Sequence, residues 1–104
     1  MTQKIVAELP HRLGTEEARR RIASGIGRLS EQVPGGAAVD SGWSGNRLDL
    51  KVEAMSQQVT ARIDVGETSV RVEMLLPAAL SFFARPIEAM LKRKGAQLLE
   101  DRRS

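Results

Sequence analysis

Between Leu48 and Leu76, apolar and polar residues alternate through three consecutive runs. Leu48, Leu50, Val52 and Ala54 share one parity, as do Val59, Ala61, Ile63 and Val65, and then Val70, Val72, Met74 and Leu76. A period of two places each set on one face of a strand, so the runs predict an antiparallel meander with one buried and one wet face. Ile5, Ala7 and Leu9 alternate in a short first strand, which Pro10 ends because proline cannot donate to a ladder. Val39, Ser41 and Trp43 make a poorer second strand, joined to the meander through Ser44, Gly45, Asn46 and Arg47, whose central Gly and Asn suit a primed hairpin turn.

Helical spacing appears twice. Ala18, Ile22, Ile26, Leu29 and Val33 form one apolar stripe that ends before Pro34, Gly35 and Gly36. Gly14 opens the turn into this helix, Thr15 is its expected N-cap, and Glu16 and Glu17 occupy the first turn, where the helix dipole favours anions. Gly25 and Gly27 weaken it by about 1 kcal/mol each, which implies compensation through close approach to the sheet. Leu80, Phe83, Ile87 and Leu91 give the second stripe, with Pro77 at its first position. Pro86 should kink or divide that helix, and Gly95 marks its expected end. The reading is an α+β fold: an antiparallel sheet in the order β-α-β-β-β-β-α with both helices on its apolar face. The first strand is expected beside the fifth, where Ile5 and Leu9 are buried and an edge is protected.

Tight turns at Ser56-Gln57 and Gly66-Glu67 set an expected register, with Ala54 opposite Val59, Val65 opposite Thr68 and Trp43 opposite Leu48. Asp40, Lys51, Arg62 and Arg71 then line up across the wet face, flanked by rows containing Glu53 and Glu73 and Asp49 and Asp64. Three cations in line would grip a phosphate, but the acidic rows on both sides favour a self-neutralised surface. Trp43 is expected to pack inward and close the end of the sheet, at a cost of about 3 to 5 kcal/mol for Trp43→Ala if the ring is buried.

At 104 residues the chain is long enough for one modest core, expected over residues 1–100 with a frayed tail at 101–104. Only 3% of residues are aromatic, so the core must be aliphatic and leaves little volume for a large ligand. There are no cysteines, which excludes disulfides and thiolate metal sites; with no apolar leader at the N-terminus, the expected location is the cytoplasm. A formal charge of +3 is too mild to argue for nucleic acid. The densest basic run, Arg19, Arg20 and Arg21, has no stacking aromatics beside it, and Glu16 and Glu17 lie four residues before Arg20 and Arg21. His11 is the single histidine, and local spacing ties no nucleophile or carboxylate to it. It is read as a surface or helix-start residue. No catalytic, cofactor or metal site is expected.

Met74 to Leu91 holds more apolar residues than one stripe needs, though it is too polar and interrupted for a membrane span. Leu75 and Phe82 project away from the stripe and are the expected binding surface. Such a surplus serves a homodimer contact, a greasy docking surface or a wrapped core.

The order of elements, with PHRLGTEEARRRI at 10–22, WSGNRLDLKV at 43–52, VTARIDV at 59–65 and VRVEMLLP at 70–77, resembles the polyhydroxyalkanoic acid system protein family. The resemblance runs from about Ile5 to Leu99 and carries no catalytic residues with it. It implies a non-enzymatic accessory of polyester storage, found in the cytoplasm or on granules. The apolar surface of the last helix would meet the granule or a granule-coat protein. The alternative is a small apolar-ligand module, since the element order is like a reduced helix-grip arrangement holding a ligand between sheet and helix. A cavity there would favour the module, and a dry core with Phe82 and Leu75 exposed would favour the surface.

Overall fold

A computed structural model describes residues 3–28, 38–54 and 56–100. Strands β1 (Gln3–Pro10), β2 (Ala38–Ser44), β3 (Arg47–Ala54), β4 (Gln57–Val65) and β5 (Ser69–Leu76) form one antiparallel sheet in the order β1-β5-β4-β3-β2. The first strand thus returns beside the fifth, with Ile5 opposite Met74 and Leu9 opposite Val70. Helix α1 (Gly14–Gly27) follows β1, and a 3-10 segment (Ala78–Phe83) leads from β5 into α2 (Ala84–Leu98). α1 ends at Gly27 with Arg28 at its C-cap, short of the expected end before Pro34; Leu29, Val33, Pro34, Gly35, Gly36, Met55 and the residues 101–104 lie outside the described residues.

Both helices cover the same face. Ala18 and Ile22 of α1 and Leu99 just past α2 close over Leu9, Leu48, Ile63, Val65, Val70 and Val72, and Ile26, Leu91 and Leu98 pack against that cluster. Every buried apolar residue described is aliphatic. Two glycines set how near α2 comes. A Cβ on Gly95 would stand 2.4 Å from Cδ1 of Leu9, so α2 lies directly on β1 at that point; a Cβ on Gly25 would stand 3.1 Å from Leu98. Gly95 is therefore a contact inside α2 and not its end. Gly25 serves the approach of α1 to α2 and not to the sheet, while Gly27 faces open space.

The register differs from the expected one by two residues in two places. Val52 pairs with Val59 and Ala54 with Gln57, while Val65 pairs with Val70 and Ile63 with Val72. Each reversal is centred one residue from its expected position: the first lies between Ala54 and Gln57, where Ser56 takes φ +63, and the second is closed by Gly66 N–H donating to Ser69 C=O at 2.8 Å. Moving a turn by one residue slides the ladder by two, which keeps every side chain on its face but changes its neighbours. The β2–β3 hairpin has Trp43 opposite Leu48, and Gly45 at φ +61 supplies the first central position of a type II′ turn.

Candidate functional site

Two prolines shape the segment that leaves the sheet. Pro77 is extended at φ −63 and ψ 159 and caps the 3-10 segment from outside instead of forming its first residue. Pro86 has no N–H to give the Phe82 carbonyl, and its ring crowds that carbonyl, so an α-helix cannot run through both. The chain solves this by dividing. A tighter 3-10 turn runs to Phe83, and the α-helix restarts at Ala84 with Pro86 in its first turn, where backbone N–H groups have no intrahelical partner.

The restart changes the phase of the apolar stripe. Ile87 and Leu91 remain half-buried, but Phe83, expected in the stripe, is 44% exposed. Phe82 is 74% exposed, and the two rings lie against each other with centroids 4.3 Å apart. The chain has only three aromatic residues, Trp43, Phe82 and Phe83, so two of the three stand at the surface. Leu75 is 43% exposed. It sits on the outward face of β5 between Lys4 and Thr60, with exposed Val6 one pair further along β1. The two expected surface residues are thus both exposed but on different elements. Phe82 lies on the link from sheet to helix layer, Leu75 on the opposite face of the sheet, and the last helix itself adds exposed Met90.

The row of three cations does not form. In the actual register Arg62 stands between Asp49 and Glu73, Arg71 between Asp64 and Glu8, and Lys51 between Asp40 and Thr60. Arg47 donates to Asp64 at 2.7 Å, Arg62 to Asp49 at 3.5 Å and Arg71 to Glu73 at 3.2 Å. Lys4 also reaches Glu73, at 3.3 Å, and the hydrogen bonds from Lys4 and then Arg71 hold the Glu73 carboxyl below its ordinary pKa. The two-residue slide turned diagonal charge neighbours into directly opposed ones.

The arginine run is engaged as well. Arg20 bonds Glu17, which lowers the pKa of that carboxyl, and Arg21 lies 3.7 Å from the same carboxylate. Arg21 also donates to the Leu98 carbonyl at 3.3 Å and to that of Glu100, so α1 supplies a donor to the C-terminus of α2. Arg19 stacks over Trp43 with its guanidinium carbon 4.8 Å from the ring centroid. Trp43 packs inward against the core cluster but stays half-buried.

His11 is buried, 7% exposed, so of the two expected roles, surface or helix start, the first does not hold and the second does. It shares the parity of Ile5, Ala7 and Leu9, and its N–H continues the ladder to Thr68 C=O at 2.9 Å, so the inward alternation runs through Pro10. Nε2 lies 3.0 Å from Gly66 C=O and Nδ1 accepts from Leu13 N–H at 3.2 Å. Leu13, not Thr15, occupies the N-cap position of α1, and the Thr15 hydroxyl donates instead to Glu67 at 3.3 Å. The imidazole is a clasp joining the start of α1 to the β4–β5 turn. Both ring nitrogens are engaged by backbone groups of this chain. Beside it an open groove of about 240 Å³ is lined by Leu9, Pro10, Arg12, Ala96 and Leu99, smaller than the roughly 300–1,000 Å³ of ordinary ligand pockets.

Among the described residues, no three or more histidine, cysteine or acidic side chains gather in a way that could hold a metal ion, and no helix is long and apolar enough to cross a membrane. The model of one protein family, described as "Putative polyhydroxyalkanoic acid system protein", matches residues 5–99, from Ile5, the first buried residue described in β1, to Leu99 just past α2. Comparison with curated proteins and with solved structures finds no match.

Proposed function

Because the chain belongs to the polyhydroxyalkanoic acid system protein family, we propose that it is a non-enzymatic accessory of polyester storage that attaches to the granule surface or to a granule-coat protein through apolar side chains. The observation that carries this reading is the exposed Phe82–Phe83 pair, in a protein whose buried apolar residues, among those described, are all aliphatic. Leaving a large apolar ring in water forgoes about 2 kcal/mol that burial would contribute, and contact with an apolar polymer or a coat protein recovers it. Leu75, Val6 and Met90 add further exposed apolar side chains, the first two on the outward face of the sheet and the third on α2. No catalytic geometry is required for such a contact. The ligand-module alternative is less well supported: the groove beside His11 and a wider one of about 360 Å³ against Ser41, Leu50 and Ala61 are both open to solvent, and α2 touches Leu9 directly.

Fractionation of cells that accumulate polyester tests the reading. The protein is expected to sediment with the granules and to be released by detergent more readily than by salt, as an apolar attachment requires. Recovery entirely in the granule-free supernatant would contradict it.

A further inference from the structure

We propose that β2 is a self-pairing edge through which two copies of this chain join antiparallel about a two-fold axis at Ser41, making one continuous sheet. The sheet has two edges, β1 and β2, and they are built differently. At β1 the ladder bond from His11 to Thr68, in register with Leu9 and Val70, puts the odd-numbered backbone groups on β5. Those turned outward belong to Lys4, Val6, Glu8 and Pro10: two charged residues and a proline without an N–H, the usual guards of a free edge.

At β2 the alternation runs the other way. The type II′ turn makes Ser44 and Arg47 the first hydrogen-bonded pair, so Gly42 and Asp40 face β3 with their backbone groups while Val39, Ser41 and Trp43 turn theirs outward. The bond from Val65 N–H to Asn46 C=O at 2.9 Å is in phase with this pattern. No proline or lysine stands in Ala38–Ser44, and its single charge, Asp40, has Lys51 opposite it on β3. The outward backbone groups thus belong to three uncharged residues, and nothing in the strand blocks pairing.

The strand is complementary to itself in one register. With Ser41 facing the partner's Ser41, Asp40 meets the partner's Gly42, which offers no side chain and no charge, and half-buried Val39 meets the partner's Trp43 on the inward face. Sliding by two residues one way sets Asp40 against the partner's Asp40, a like-charge pair; sliding the other way moves Trp43 from Val39 to Ser41. The favoured register also brings the two helix layers to the same side, so the half-buried inward residues Val39, Val52 and Val59 run on into those of the second copy.

Sedimentation of the full chain at micromolar concentrations tests this. The parent is expected to be a dimer, and Ser41→Lys or Ser41→Glu, which places like charges face to face on the axis, is expected to be monomeric. An equimolar mixture of the two variants should return to the dimer. Ser41→Cys provides a test that does not depend on charge: the chain has no cysteine, the paired Cα atoms would stand about 5.5 Å apart, and mild oxidation should cross-link this variant but not Asp49→Cys on β3. A monomeric parent overturns the pairing and leaves β2 to a strand from another protein. So does a parent dimer that fails to cross-link through Ser41→Cys, or one dissolved by Phe82→Ser and indifferent to charge at position 41.

Discussion

At the scale of single residues, two side chains hold the ends of the sheet to the helices. His11 satisfies the Gly66 carbonyl and the Leu13 amide at once, and substitution by alanine would strand both. His11→Ala is expected to cost about 1–3 kcal/mol in chemical denaturation. A loss below about 0.5 kcal/mol would mean that water replaces the ring and the clasp is incidental. Trp43 lies across from Leu48 as its parity requires, but β2 is an edge, so one side of the indole remains open and Arg19 covers part of it. The expected cost of Trp43→Ala therefore falls to about 2 kcal/mol, below the range for a fully buried ring. As Trp43 is the single tryptophan, its fluorescence should shift to longer wavelength in Arg19→Ala without loss of the fold. An unchanged emission would show that the guanidinium contact does not shield the ring.

At the scale of elements, period-two alternation made the strands, their faces and their order legible, because side-chain direction depends only on parity. Register was legible at the β2–β3 hairpin, where Trp43 faces Leu48 as expected. It was not legible at the two later turns, since Ser56-Gln57 and the turn one residue earlier preserve the same faces and differ only in which outward charges meet. The apolar stripe through Leu80, Phe83, Ile87 and Leu91 misled at Phe83, because helical periodicity assumes an unbroken helix and Pro86 forces a change of pitch before Ala84. The exposure of Phe82 and Leu75 was legible as a surplus, whereas the stacking of Phe82 on Phe83 was not. β1 ends at Pro10 as its missing N–H requires, yet the inward parity of Ile5, Ala7 and Leu9 carries one residue further, to His11. The glycines of the two helices separate propensity from packing. Gly27→Ala should raise stability by about 0.5 kcal/mol, since its Cβ meets nothing. Gly95→Ala should lower it by about 1–2 kcal/mol despite the better helix former, because buried Leu9 must move aside. Equal gains at both positions would show that α2 does not rest on β1 as closely as described.

At the scale of the whole molecule, the sheet divides the labour between its faces. One face carries the helices and an aliphatic core, the other a set of opposed ion pairs, and the exposed Phe82–Phe83 pair stands on the link from β5 to α2. Phe82 is 74% exposed, so its removal should separate attachment from stability. The most direct measurement is the binding of purified parent and Phe82→Ser/Leu75→Ser protein to isolated polyester granules, with thermal unfolding of both recorded alongside. The account predicts that the double variant melts within a few degrees of the parent and loses most of its granule binding. A folded double variant that binds granules as well as the parent, or a parent that does not bind them or their coat proteins at all, would contradict it.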